Sequence, residues 1–169
     1  EVHLSIPKET PDVPRIGLQF VLNQKFQNIQ WYGRGPQENY SDRKTGAAVG
    51  IYQSSLDKFI TPYVRPQENA NRSDIRWIKF SSDDKQMISF EAAGAGTFSA
   101  GAWPYSQAKL ENTSHDFEMV KDKQITVNID CAQMGVGGDN SWGLPVNEPY
   151  LLKPGEYRYS FRISFPTIW

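Results

Sequence analysis

The sequence predicts an all-β fold, an antiparallel β-sandwich, from three observations. Apolar and polar residues alternate in many short runs, the period-two pattern of half-buried strands. Glycine and proline, 13 and 11 of the 169 residues, stand between those runs, where they punctuate turns. Helical periodicity is scarce, so the strands have to bury their apolar faces against one another.

In chain order, residues 1–14 contain three prolines and little periodicity, so a linker or tail is expected over 1–13 and the sandwich over 14–169. Runs at 15–22 and 26–32, joined by Asn23, Gln24 and Lys25, read as a hairpin. Further strands are expected at 47–52, 74–80, 86–92 and 97–103, with the polar stretch 81–85 as a turn. Residues 106–112, following Pro104, suit about two helical turns capped by Ser106. In 125–131 the alternation puts Ile125, Val127, Ile129 and Cys131 on one face, so Cys131 reads as a buried small hydrophobe. In 157–165 it gathers Tyr157, Tyr159, Phe161, Ile163 and Phe165. The stretches 33–46 and 135–149 are long and irregular, and such loops in compact domains are often functional.

Composition narrows the partners. Eighteen Lys and Arg against 19 Asp and Glu leave a net charge of −1, with no basic stripe to displace counterions from nucleic acid. No run approaches the roughly 20 apolar residues needed to cross a bilayer, so no membrane partner is expected. Aromatics make up 13% of the chain, a surface compatible with neutral sugars. The single cysteine rules out an internal disulfide framework and leaves the compartment open. A start at Glu1 rather than Met suggests an excised piece or a processed product.

Three motifs carry chemistry. In Gly135-Val136-Gly137-Gly138-Asp139-Asn140-Ser141-Trp142 the glycines open backbone shapes closed to other residues and lead to an indole. Trp142 suits stacking on the C–H face of a pyranose, with Asp139, Asn140 and Ser141 bonding hydroxyls. It suits equally a tight turn whose indole tucks into the core. A phosphate cradle is excluded, because Asn140 stands where a third glycine is needed and no helix follows. In Gly33-Arg34-Gly35-Pro36-Gln37-Glu38-Asn39-Tyr40-Ser41-Asp42-Arg43, Pro36 and the glycines set a turn, and Glu38, Asp42, Arg34 and Arg43 suit a mutual charge network that holds the loop. The third motif, Pro66-Gln67-Glu68-Asn69, repeats the Pro-Gln-Glu-Asn theme, with Glu68 and Asn69 placed to cap strand ends or to reach a ligand.

Catalytic groups are sparse. No pair among the scattered acids is nominated for the closely spaced carboxylates a retaining glycosidase needs. His3 and His115 are the only histidines, without partners at zinc spacing, and no Gly-x-Ser-x-Gly elbow is present. Neither a metal site nor a cofactor is expected, and no catalytic residue is assigned.

Taken in order, 35–43, 63–69 and 134–142, together with Pro14-Arg15-Ile16-Gly17-Leu18 and Glu111-Asn112-Thr113-Ser114-His115, resemble the C-terminal small-chain region (domain 5) of LacZ-type β-galactosidases, in glycoside hydrolase family 2. The resemblance covers about 13–165, nearly the whole chain. It implies a galactose-mutarotase-like sandwich, part of a supersandwich. It also implies a role in completing the galactoside site of a parent enzyme whose TIM barrel supplies both catalytic glutamates. The family's tryptophan that contacts the sugar maps to Trp142. The family's terminal sandwich is larger, so only its second part is expected here. The chain alone is then expected to be inactive, and self-association is expected through uncovered strand edges. Bacterial cytoplasm and periplasm both remain open as its location. Two rival readings are a free-standing carbohydrate-binding module, and a mutarotase-like epimerase using His115 with Glu68 or Asp116.

Overall fold

The computed structural model describes residues 1–140 and 143–165. Strands β1 (Val2–Ile6), β2 (Arg15–Asn23), β3 (Asn28–Gly35), β4 (Ala48–Ser55), β5 (Arg72–Ile75), β6 (Trp77–Ser81), β7 (Met87–Ala92), β8 (Phe98–Trp103), β9 (Gln124–Gln133), β10 (Gly155–Tyr159) and β11 (Phe161–Ser164) are joined by turns, by the short helices α1 (Leu56–Phe59) and α2 (Gln107–Asn112), and by 3-10 turns at Asp116–Glu118 and Glu148–Tyr150. They form a five-stranded sheet in the order β11-β7-β6-β3-β4, a four-stranded sheet β2-β9-β8-β5, and a β1-β10 pair. Every pairing is antiparallel.

The alternation in the sequence explains the core between the sheets. Ile29 and Trp31 of β3, Ile78 and Phe80 of β6, and Ile88 and Phe90 of β7 are buried from one sheet. From the other come Leu22, Ile75, Phe98, Ala100, Ala102, Ile125, Val127 and Ile129, and all belong to one continuous cluster. Aromatic edges close it: Phe80 and Phe90 meet at 87°, and Trp31 and Phe59 at 84°, geometries that ring quadrupoles favour. This all-β sandwich is the fold class expected. The turn at 81–85 forms as expected, with the Lys85 N–H donating to the Ser82 carbonyl at 3.0 Å. Helix α2 starts as its sequence implies, with Ser106 Oγ accepting from the Lys109 N–H at 3.3 Å.

Several connections differ from the sequence reading. The runs 15–22 and 26–32 are not a hairpin: β2 pairs with β9, while β3 pairs with β4 and β6. The polar turn carries the chain from one sheet to the other because Phe26, at its end, is buried in the shared core. The run 74–80 is likewise two strands, broken at Arg76, whose N–H donates to the Tyr32 carbonyl. The run 157–165 breaks at Ser160, so Tyr159, Phe161 and Ile163 pack on the core while Phe165 is exposed. The segment read as a linker or tail contains β1, paired with β10 along all five of its residues. Its alternating Val2, Leu4 and Ile6 are partly buried, a short pattern that the nearby prolines obscure.

Strand β9 is buried on both faces, with Thr126, Asn128 and Asp130 covered as well as the apolar set. The register slips at Ile16/Gly17, so that Cys131 is the extra residue opposite β2. Cys131 is therefore half-buried at the bulge, near the Arg158 carbonyl, and not a core hydrophobe. Gly17 is required there: a Cβ would lie 2.2 Å from Asp130 Oδ1 and 2.6 Å from the Ile129 carbonyl oxygen. Gly17→Ala is expected to cost about 1–3 kcal/mol, measured as a lowered urea midpoint at unchanged slope.

Candidate functional site

The two Pro-Gln-Glu-Asn segments fold alike. In each, the asparagine amide reaches back two residues, Asn39 Nδ2 to the Gln37 carbonyl at 3.0 Å and Asn69 Nδ2 to the Gln67 carbonyl at 2.8 Å. Each asparagine oxygen then accepts from elsewhere. Asn39 Oδ1 takes the Ser73 N–H at 2.9 Å and the Ser73 hydroxyl at 2.5 Å. Asn69 Oδ1 takes the Thr61 N–H at 3.3 Å and the Trp103 indole N–H at 3.2 Å. The segments are tied directly, since the Asn39 N–H donates to the Asn71 carbonyl and Asn71 Nδ2 to the Asn39 carbonyl.

The glutamates complete the clamp. Glu38 accepts from the Ala70 N–H at 2.9 Å, from Arg43 Nη2 at 2.6 Å and from the Tyr63 hydroxyl. Glu68 pairs with Arg15 at 2.5 Å and accepts from the Tyr40 hydroxyl at 3.3 Å. Burial and the two nearby carboxylates, Glu68 and Glu38, push the Tyr40 hydroxyl well above the ordinary tyrosine range, so it remains a donor. Burial also raises the Glu68 carboxyl, against the pull of Arg15. Arg72 lies 4.2 Å from the Phe59 ring centroid and donates to the Pro36 and Phe59 carbonyls. Burial lowers its guanidinium to about 10.

The expected charge network is thus only partly formed. Glu38 and Arg43 pair, but Arg34 joins Asp74 at 2.5 Å and the Lys44 and Ala47 carbonyls. Burial would raise the Asp74 carboxyl, but its hydrogen bond to Arg34 and the charge of Lys44 outweigh that and hold it low. Asp42 leaves the network altogether. Its Oδ2 accepts the Val136 N–H at 2.9 Å and the Gly137 N–H at 2.8 Å, joining the 36–47 loop to the glycine-rich loop after β9.

That loop is pinned at several points. The Gly135 N–H donates to the Tyr150 carbonyl at 2.9 Å, and Asn147 Nδ2 donates to Asp139 Oδ1 at 3.1 Å. A Cβ at Gly138 would lie 2.3 Å from the Leu144 carbonyl oxygen, so the two arms run too close for any side chain there. Asp139 and Asn140 are exposed, while Ser141 and Trp142 lie outside the described residues. An open groove of about 540 Å³ runs from Pro66 and Glu68 past Gln107 of α2 to Met134 and Val136 at the loop's root. A recess of about 600 Å³ lies elsewhere, over Gln30 and Gln53, without any of the motif residues.

Beneath the clamp sits Asp130, 1% exposed, 3.6 Å from Arg15 Nε, its two oxygens without hydrogen bonds. Burial pushes its carboxyl up to about 7; Arg15 opposes the shift and Glu68 adds to it. Asp130 and Arg15 escaped the reading for chemistry because each sits in a strand run that reads as ordinary ladder. His115 stacks on Phe117 and pairs with Glu118 at 3.6 Å, whereas Glu68 is engaged by Arg15 and Tyr40, so the epimerase pairing of His115 with Glu68 does not form. Among the described residues no group of three His, Cys, Asp or Glu side chains gathers to hold a metal. Of the motif acids, Glu38, Glu68 and Asp42 serve as anchors for backbone, cations and tyrosine hydroxyls.

The family model described as beta galactosidase small chain matches residues 1–163. The chain belongs to that family. Among curated relatives, this small-chain sequence is 42% identical to a β-galactosidase of Priestia megaterium over 147 residues, 86% of the chain and 14% of the relative. It is 36% identical to a β-galactosidase of Streptococcus thermophilus over 155 residues, 91% of the chain and 15% of the relative. It is 41% identical to a β-galactosidase of Lactobacillus delbrueckii subsp. bulgaricus over 140 residues, 83% of the chain and 14% of the relative. The small-chain sequence thus spans about 15% of the length of the relatives it matches.

Proposed function

We propose that this small-chain sandwich is a non-catalytic portion of a β-galactosidase. In this reading it completes the galactoside site of the whole enzyme, which removes terminal β-galactose residues. The rest of the enzyme, including its barrel, supplies the reacting carboxylates. The loop 135–147 contributes Trp142 as a stacking platform, with Asp139, Asn140 and Ser141 as hydroxyl partners. The observation that carries this reading is the fixing of an exposed glycine-rich loop by a distant acid, Asp42, while Glu38 and Glu68 are spent on anchoring. A rigid scaffold that presents an exposed loop is how binding residues are commonly held.

The test is Trp142→Ala in the full-length enzyme. A stacked indole contributes on the order of 1–3 kcal/mol, so kcat/KM for a chromogenic β-galactoside should fall about tenfold or more. Urea unfolding should stay close to that of the parent. Normal kinetics with a loss of about 3–5 kcal/mol in stability would make Trp142 a core residue and overturn the platform. Titration of the isolated chain with galactose separates the remaining alternative, a free-standing carbohydrate-binding module, whose affinity is intrinsic to this piece.

A further inference from the structure

The Asp42 carboxylate reaches across more than ninety residues of sequence to a loop it does not belong to. A single oxygen, Oδ2, accepts two successive backbone N–H groups, those of Val136 and Gly137. Bonds to a charged acceptor are roughly twice as strong as neutral ones, and two donors on one atom fix a direction as well as a distance. The fit is close: a Cβ at Gly135 would lie 2.7 Å from Asp42 Cγ and Oδ2, and one at Gly137 would lie 3.3 Å from Oδ2. The glycines of this motif therefore let the backbone approach the carboxylate, which is a different use from freedom in a turn. Asp42 itself is held in place, since the Arg43 N–H donates to the Tyr40 carbonyl at 3.0 Å and Tyr40 is fully buried. The Asn147–Asp139 bond closes the loop farther out.

We infer that Asp42 is the positioning residue of the galactoside-facing loop: through the Val136 and Gly137 N–H groups it sets where Asp139 and Asn140 stand. It touches no substrate and acts only through the backbone it holds. This inference rests on the proposed function above, which gives the loop its ligand, a galactoside. Positioning of a ground-state contact predicts a rise in KM at nearly constant kcat, since the lost interaction is shared by bound substrate and transition state.

The experiment compares Asp42→Ala, Asp42→Asn and Gly135→Ala in the full-length enzyme, with Trp142→Ala as reference. Hydrogen exchange by mass spectrometry follows peptides covering 134–147, and steady-state kinetics follow a chromogenic β-galactoside. In Asp42→Ala the loop should exchange at least about tenfold faster and KM should rise about tenfold, with kcat held within about twofold. Asp42→Asn keeps a side-chain oxygen acceptor and should restore both readouts to within about threefold of the parent. Gly135→Ala displaces the same contact from the loop's side, and it carries the test should Asp42→Ala fail to fold. Unchanged loop exchange in Asp42→Ala, or an Asn variant as impaired as the Ala one, overturns the positioning role. Faster exchange with normal kinetics in both Asp42→Ala and Trp142→Ala overturns instead the galactoside reading beneath it.

Discussion

Asn39→Ala is expected to lower the unfolding free energy by about 3–5 kcal/mol, the largest single effect in the motif loops. Asn39 is wholly buried, and its side chain serves three groups: the Ser73 N–H, the Ser73 hydroxyl and the Gln37 carbonyl. Removing the amide leaves the two Ser73 groups unpaired in a buried site, at about 1–3 kcal/mol each, and frees the Gln37 carbonyl, with partial relaxation of the loop. The effect should be smaller at the second copy of the motif. Asn69 accepts at 3.2 and 3.3 Å where Asn39 accepts at 2.5 and 2.9 Å, so Asn69→Ala should cost about 2 kcal/mol. Asn39→Asp keeps the oxygen facing Ser73 but presents an acceptor to the Gln37 carbonyl, and it should not rescue. Urea unfolding of the three variants measures all of this. A cost below about 1 kcal/mol for Asn39→Ala would mean that water replaces the amide and that the clamp is not what orders this loop.

Asp130→Asn is expected to stabilise the protein at pH 8 by about 1–3 kcal/mol and to leave it nearly unchanged at pH 4. Burial pushes the Asp130 carboxyl up to about 7, with Arg15 pulling it down and Glu68 pushing it up. In the unfolded chain the same group titrates near about 4. A raised folded value means that the native state favours the protonated form. Its contribution to stability is fully present below about pH 4, declines as pH rises and is lost once pH passes about 7. The upper bound, about three pH units or roughly 4 kcal/mol, is reduced by local relaxation. Arg15 is not orphaned by the change, because Glu68 and Gln133 remain its partners at 2.5 and 3.0 Å. Glu68 is also raised and contributes a slope of the same sign, so the variant should flatten the pH dependence without abolishing it. Urea unfolding at pH 4, 6 and 8 decides the matter: parallel profiles for parent and variant would show that folding leaves the Asp130 carboxyl unshifted.

Much of the architecture follows from sequence because strand formation is a local decision. The alternation in 97–103 and 125–131, the polar turn at 81–85 and the Ser106 cap each depend on residues within one or two turns of chain. The same locality explains the errors. Period-two alternation is identical whether the next strand stays in the same sheet or crosses to the other. The crossings after Asn23, at Arg76 and at Ser160 are therefore invisible until Phe26, Tyr32 and Phe161 find their places. The motif loops show the same division. Their residue types identified the family and marked them as anchors or ligand contacts, which composition and order alone convey. Which acid meets which partner was decided by the tertiary structure: Asp42 with Val136 and Gly137, Glu68 with Arg15, Arg34 with Asp74. These bonds join groups 40 to 95 residues apart. A charged side chain accepts any donor brought within reach, so its partner is selected only when the sheets have packed and fixed the distances.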